Sequence, residues 1–360
     1  MPEAEYLQLG GQAIVEGVMM RSPKHWAVAC RAPNGKIIVR THPLEKAWLF
    51  RQKWLKLPFL RGTLALLDGM YLGIKAMKDA SNIQIEDKYQ TDETRAELQA
   101  ARDAMPDNAM GRLGKRIEAW MEANPNLAII ISMAVGIGGG FLFFNILPNF
   151  VAQLIGVGAK DSRGTLTNYI AETIKFIFFI VYLWLIAKLP AIREVFKYHG
   201  AEHKAITTLE NEEPLTMEAC QRQTRLHQRC GTSFAVIVFI VSFFFLPLVP
   251  RYPITGKPGA ILVDVPVRVL IELCILPLIA GVSYELLRIA GKNRKARWAE
   301  IAFAPGLASQ KYLTTVEPED KHVEVALASI KVVVHADKTG ELIESDDYDA
   351  LPIAQQPVTA

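Results

Sequence analysis

At 360 residues the chain has room for one or two domains. It is 51% hydrophobic and 21% charged, with a mean hydropathy of +0.17. A net charge of +3 is too small for the basic face a nucleic-acid-binding protein needs. The opening MPEAEYLQLGGQ lacks the basic-then-apolar pattern of an export signal, and four scattered cysteines make no disulfide framework.

Residues 1–56 read as a β-rich cytoplasmic region. GGQAIVEGVMM is a glycine turn followed by a β-branched run, and WAVACRAP and KIIVRTH flank Asn34-Gly35, a hairpin turn signal. Residues 57–78 are apolar but punctuated by Arg61, Asp68 and Lys75, the pattern of an amphipathic helix lying at a membrane interface. Residues 79–126 are a charged cytoplasmic segment, exposed up to the first apolar run.

Spanning a bilayer takes about 20 apolar residues as a helix. Residues 127–155 carry no charge at all. Residues 166–187, 233–250 and 262–284 supply three more runs. The fold class is therefore an α-helical integral membrane protein with about four transmembrane helices and a small β-containing N-terminal region. Lysine and arginine crowd the segment before the first run (Arg112, Lys115, Arg116), the loop 188–232, and the region 285–360 (Arg288, Lys292, Arg294, Lys295, Arg297). The other two loops hold only Lys160 with Arg163 and Arg251 with Lys257, so both termini are expected inside a bacterial inner membrane. Gly136, Gly138, Gly139 and Gly140 on the first run predict a face packed against another span. Asp264, Arg268 and Glu272 form a charged stripe on the fourth, with Glu172 and Lys175 as natural partners; a neutralised structural network is the favoured reading, an ion or substrate path the other. Residues 318–334 read as an amphipathic helix, and the acidic tail after Asp337 as loose.

The loop 188–232 carries the chemistry. His199-Gly-Ala-Glu202-His203 sets two histidines one helical turn apart on one face, able to reach one metal ion. His-x-x-Glu-His is the inverted form of the zinc-protease motif, in which the glutamate is a base and not a ligand. Thr216 can cap a helix running through EACQRQTRLHQRC, placing Cys220, His227 and Cys230 on one face. His199, His203, His227 and Cys230 would make a tetrahedral nitrogen/sulfur set suited to Zn2+. Two surface helices with ordinary histidines and inert cysteines are the competing reading.

Taken together, GGQAIVEGVMMRSP (10–23), LPFLRG (57–62), FKYHGAEHKAI (196–206), HQRCGTSF (227–234), GVSYELLRIAG (281–291) and PGLASQKYLTT (305–315) resemble the YqhQ-like family of bacterial membrane proteins. The blocks follow the family's order from Gly10 to about Ile330; Gln228 stands where a proline is usual, and the stretch near 85–110 looks like a local insertion. The family's label of metal-dependent enzyme implies a metal role for His199, His203 and His227, but the resemblance supplies no substrate.

Three functions compete. The first is a membrane-embedded zinc hydrolase, with His199 and His203 as ligands, His227 or Cys230 as the third, and Glu202 as base. The second is a non-catalytic scaffold or assembly factor whose metal staples the loop and whose cytoplasmic regions dock a protein partner. The third is a small-solute transporter using the charged stripe, for which four spans are few without homo-oligomerisation. The lipid bilayer is the one partner common to all three.

Overall fold

A computed structural model describes residues 9–44, 57–104, 106, 108–155, 165–256, 261–292 and 297–355. Lys160, Arg163, Lys257, Arg294 and Lys295, which enter the loop-charge argument, lie outside the described residues. Four strands follow one another antiparallel: β1 (Gly10–Ile14), β2 (Gly17–Arg21), β3 (His25–Arg31) and β4 (Ile37–Pro43). A two-residue β5 (Glu344–Ser345) arrives from the far end of the chain and pairs with β4. The β3–β4 turn falls at Asn34-Gly35 as the sequence predicts. Gly35 has φ +85°, a region most side chains avoid, and Asn34 Oδ1 accepts the Lys36 N–H at 3.1 Å.

The middle strands are almost continuously apolar because both faces of the sheet are covered. Val18, Met20, Ala27, Ala29 and Val39 pack in one core with α6 (Pro190–Glu210) and α11 (Asp320–Thr339). Met19, Trp26, Val28, Cys30 and Ile38 pack in the other with α1 (Leu60–Ile85), whose Leu72, Ala76, Ala80 and Ile83 recur at helical spacing. The segment read as an interfacial helix is thus longer than 57–78, and its second half is a layer of the domain. Beyond α1 the charged stretch folds as α2 (Asp92–Asp103) and α3 (Ala109–Ala123).

The C-terminal region departs from its sequence pattern. An amphipathic helix should keep a wet face, yet α11 is buried on nearly every side, Val325, Ile330, Val332, Val333 and Val334 included. Its polar residues are met by backbone: Ser329 Oγ donates to the Ala27 carbonyl at 3.2 Å, and Lys331 Nζ to that of Ala354 in α12 (Pro352–Gln355) at 3.0 Å. The acidic tail is tied down. Asp346 pairs with Arg40 and Lys88 and accepts the Tyr89 hydroxyl, so its carboxyl is held far below the usual range.

Among the described residues four helices are long and apolar enough to cross a membrane: α4 (Pro125–Leu154), α5 (Thr165–Ile186), α8 (Gly231–Phe245, its apolar stretch running to Leu248) and α9 (Ile261–Lys292). The short α7 (Met217–Arg222) precedes α8, and α10 (Arg297–Ser309) packs on α8 and α9. The expected glycine face on α4 is uncovered: a Cβ at Gly136, Gly138, Gly139 or Gly140 would meet nothing within 4 Å. Phe144 instead makes the α4–α5 contact, edge-on to Phe179 and Tyr182. The charged stripe on α9 divides. Arg268 donates to Glu272 at 2.7 Å and to Asn168 Oδ1 at 2.6 Å, while Asp264 accepts the N–H groups of Ile254 and Thr255. Glu172 and Lys175 pair with each other at 2.8 Å, and Glu172 lies within electrostatic reach of Arg268 and Glu272 in the stripe.

Close glycine packing locks α1 to α9. A Cβ on Gly281 would lie 1.9 Å from the Phe59 carbonyl oxygen, and one on Gly62 would lie 2.5 Å from Tyr284 Cβ. Arg61 and Glu285 form an ion pair across the same junction. Gly281→Val is expected to cost about 1–3 kcal/mol by overpacking and to lower the thermal midpoint, whereas Gly10→Ala, with nothing within 4 Å, should leave it unchanged. Equal midpoints for the two variants would show that the junction yields freely.

Candidate metal centre

The site is assembled where α6, the 223–230 loop and the chain after α10 meet. Pro190 starts α6 at a position that needs no backbone donor. Along it His199 and His203 lie one turn apart, their rings edge-on with centroids 4.4 Å from each other. Gly200 between them lets a distant segment of the chain come close: a Cβ there would sit 2.5 Å from the Val316 carbonyl oxygen. That approach carries the π-helical turn Gln310–Thr314 to the histidines.

The expected helix through EACQRQTRLHQRC stops early. Thr216 caps α7 through the Ala219 N–H at 3.3 Å, but the helix ends at Arg222 and Gln223 is extended. Cys220, His227 and Cys230 therefore share no helical face. Cys220 lies in the core, accepting the Thr208 hydroxyl at 3.3 Å. The non-helical stretch allows Cys230 to turn inward as the N-cap of α8, with Thr232 N–H donating to its sulfur at 3.4 Å.

Three of the four sequence-predicted ligands converge: one ligand atom each from His199, His203 and Cys230 lies within 4.8 Å of the others. Carbonyls fix both histidine tautomers. His199 Nδ1 faces the Thr314 carbonyl at 2.8 Å and His203 Nδ1 that of Arg225 at 2.6 Å. A carbonyl only accepts, so each Nδ1 carries a hydrogen. His199 Nε2 is 3.1 Å from Cys230 Sγ, and His203 Nε2 is buried without a hydrogen-bond partner. Burial holds the His203 imidazole below the usual histidine range, against the pull of Cys230. His203, with Nδ1–H on a carbonyl and Nε2 unpartnered, is in the ligating form. Tetrahedral zinc needs ligand atoms about 3.3–3.6 Å apart, so a small inward movement would complete the set.

His227 is placed differently. Its ring is 5.6 Å from that of His203, but Nε2 is turned to Glu210, 3.4 Å away. Burial raises the Glu210 carboxyl, and His227 and Arg229 overcome this to hold it below the usual range. Gln310, fully buried, fixes the His227 backbone from both sides: Oε1 accepts its N–H and Nε2 donates to its carbonyl, each at 2.8 Å. Glu202 is buried against β1, where a Cβ on Gly11 would come within 2.7 Å of its carboxyl group. Burial pushes that carboxyl up, against the opposing charges of His199 and His227. Sequence reasoning missed Gln310, Thr314, Arg225 and Glu210. Thr314 and the histidine-facing group of Arg225 act through backbone carbonyls, which leave no side-chain signature.

Membrane-length helices flanking one α+β domain, with histidine and cysteine donors gathered at the junction, define a class of helical protein with a polar site beside its apolar helices. The chain belongs to the family described as a protein of unknown function (DUF1385), whose model matches residues 57–336. It is 31% identical over 350 residues to the "Uncharacterized protein YqhQ" of Bacillus subtilis (strain 168), with 95% of this chain and 97% of that protein covered. No solved structure matches it.

Proposed function

We propose that the protein is a multi-pass inner-membrane, zinc-dependent hydrolase with its site at the cytoplasmic membrane face. His199, His203 and Cys230 are the ligands and Glu202 is the base. The observation that carries this reading is the buried, unpartnered Nε2 of His203 beside the His199–Cys230 pair. A lone pair of this kind costs about 1–3 kcal/mol when unsatisfied, and a cation satisfies it. Three donors leave one position open, as catalytic zinc sites require. Bound there, zinc would supply Lewis acidity; Glu202 would accept a proton on its carboxylate, and Gln310 and Glu210 hold His227 beside the site. Elemental analysis of the purified full-length protein is expected to find roughly equimolar zinc; a metal-free protein would defeat the proposal.

A structural site in a scaffold or assembly factor is the second reading, favoured by the nearness of His227. A turn of its ring away from Glu210 would offer a fourth donor and close the site.

Fold and loop charge independently support the topology. β1–β4, α6 and α11 build one domain, yet α4 and α5 separate the strands from α6, and α8 and α9 separate α6 from α11. Four crossings would return each segment to the same side, and the lysine and arginine counts favour the cytoplasmic side. Reporter fusions after Ala123 and Glu212 are expected to read internal and a fusion after Thr255 external. An external signal at Glu212 would overturn the arrangement.

A further inference from the structure

Beside the site lies a cleft of about 1820 Å³, larger than the ~300–1,000 Å³ of ordinary small-molecule pockets. Its lining is mixed: polar Gln12, Thr207, Glu210 and Asn211 share it with apolar Met133, Phe234, Leu287 and Phe303, which belong to α4, α8, α9 and α10. One wall is α1, whose Leu66, Met70 and Ile74 recur every four residues and stay exposed although the far half of the same helix is buried on the sheet. Cys230 and His227 also line the cleft, so a bound molecule reaches the proposed metal site.

The charge in the cleft is unbalanced. Glu285 pairs closely with Arg61 and reaches Arg288 only at 4.0 Å. Glu210 is shared by Arg229 and His227. Three guanidinium groups thus face two carboxylates. Continuity with the apolar helices, a lipophilic wall and surplus positive charge beside the site together describe an amphiphile with an anionic head.

We infer that this cleft receives an anionic phospholipid from the leaflet adjoining the folded domain, its headgroup toward Arg288 and the metal ligands and its chains along α1. The inference rests on the proposed membrane-embedded metal site and names the substrate class for it. Arg288 selects the headgroup, while Leu66, Met70 and Ile74 hold the chains.

Displacement of a fluorescent phosphatidylglycerol from the purified full-length protein tests this. Dihexanoyl phosphatidylglycerol is expected to compete about fivefold better than dihexanoyl phosphatidylcholine, the yield of one partly exposed charge contact. Inorganic phosphate alone should compete poorly. Arg288→Gln should erase the headgroup preference, and Met70→Glu should weaken both lipids, each with unchanged thermal midpoint. Equal competition by the two lipids, full competition by inorganic phosphate, or displacement only by an apolar helical peptide would overturn the inference. Zinc content, read on the same samples, keeps the two proposals apart. Zinc without lipid preference overturns this inference alone, and lipid preference without zinc overturns only the metal reading.

Discussion

His203→Ala is expected to strip the protein of zinc, lowering affinity by more than about 100-fold, because even partners that only orient a ligand are worth roughly 10–100-fold. The neighbouring His227 does not replace it while its Nε2 faces Glu210 at 3.4 Å; the Nδ1 of His203 is committed to the Arg225 carbonyl, and its Nε2 joins His199 and Cys230. His199→Ala and Cys230→Ala should behave alike. Cys220→Ser is the control, since that thiol sits in the core against Thr208 and should leave metal content untouched. Inductively coupled plasma analysis of the five proteins reads the result directly. Equal zinc in wild type and His203→Ala would remove the site.

Glu202→Gln should separate metal binding from activity. The amide keeps the shape that fits against Gly11 but cannot take up a proton, and loss of a general base costs about 10²–10⁴ in rate. Zinc content and the unfolding midpoint are therefore expected to match wild type, while the variant fails to restore the phenotype of a deletion strain. Full restoration, or loss of metal together with stability, would make Glu202 a packing residue. Gly11→Ala approaches the same group from the other side, since its new Cβ would crowd the carboxyl at 2.7 Å.

Much of this arrangement is legible in the chain. The four apolar runs are visible from length and hydropathy, even though the second carries Glu172 and Lys175 and the fourth Asp264, Arg268 and Glu272, and the turn at Asn34-Gly35 is forced by a positive φ that glycine supplies. The histidine pair is visible because helical spacing is local. What is hidden depends on partners distant in sequence. Nothing within 320–339 announces that its polar side will be enclosed, because the enclosing sheet lies roughly 300 residues upstream and Lys331 is satisfied by a carbonyl of α12. The early end of α7 is hidden for a related reason. Helix propensity continues past Arg222, but docking on Gln310 and the 311–317 segment pulls the 223–230 loop into a non-helical path, and only that path brings Cys230 to His199. The acidic tail looks loose by composition and is held because Arg40, Lys88 and Tyr89 wait for Asp346. The sequence blocks from 10 to 315 prove to be the two sides of shared junctions: 57–62 against 281–291, and 196–206 against 227–234 and 305–315.

A domain whose layers come from both ends of the chain has a timetable. The β-strands leave the ribosome first, but the α11 helix that covers one face, and the β5 strand that pairs with the β4 edge, are made roughly 300 residues later. At about 5–20 residues per second that interval is some 15–60 s, during which the membrane-length helices α4, α5, α8 and α9 are also made. Until α11 is made, the sheet face it shares with α6 is only partly covered and the β4 edge is open, the condition under which nascent chains aggregate or recruit chaperones. Domain completion therefore follows synthesis of all four apolar helices, and a chain ending before Asp320 is expected to be degraded even though every proposed metal ligand has already been translated.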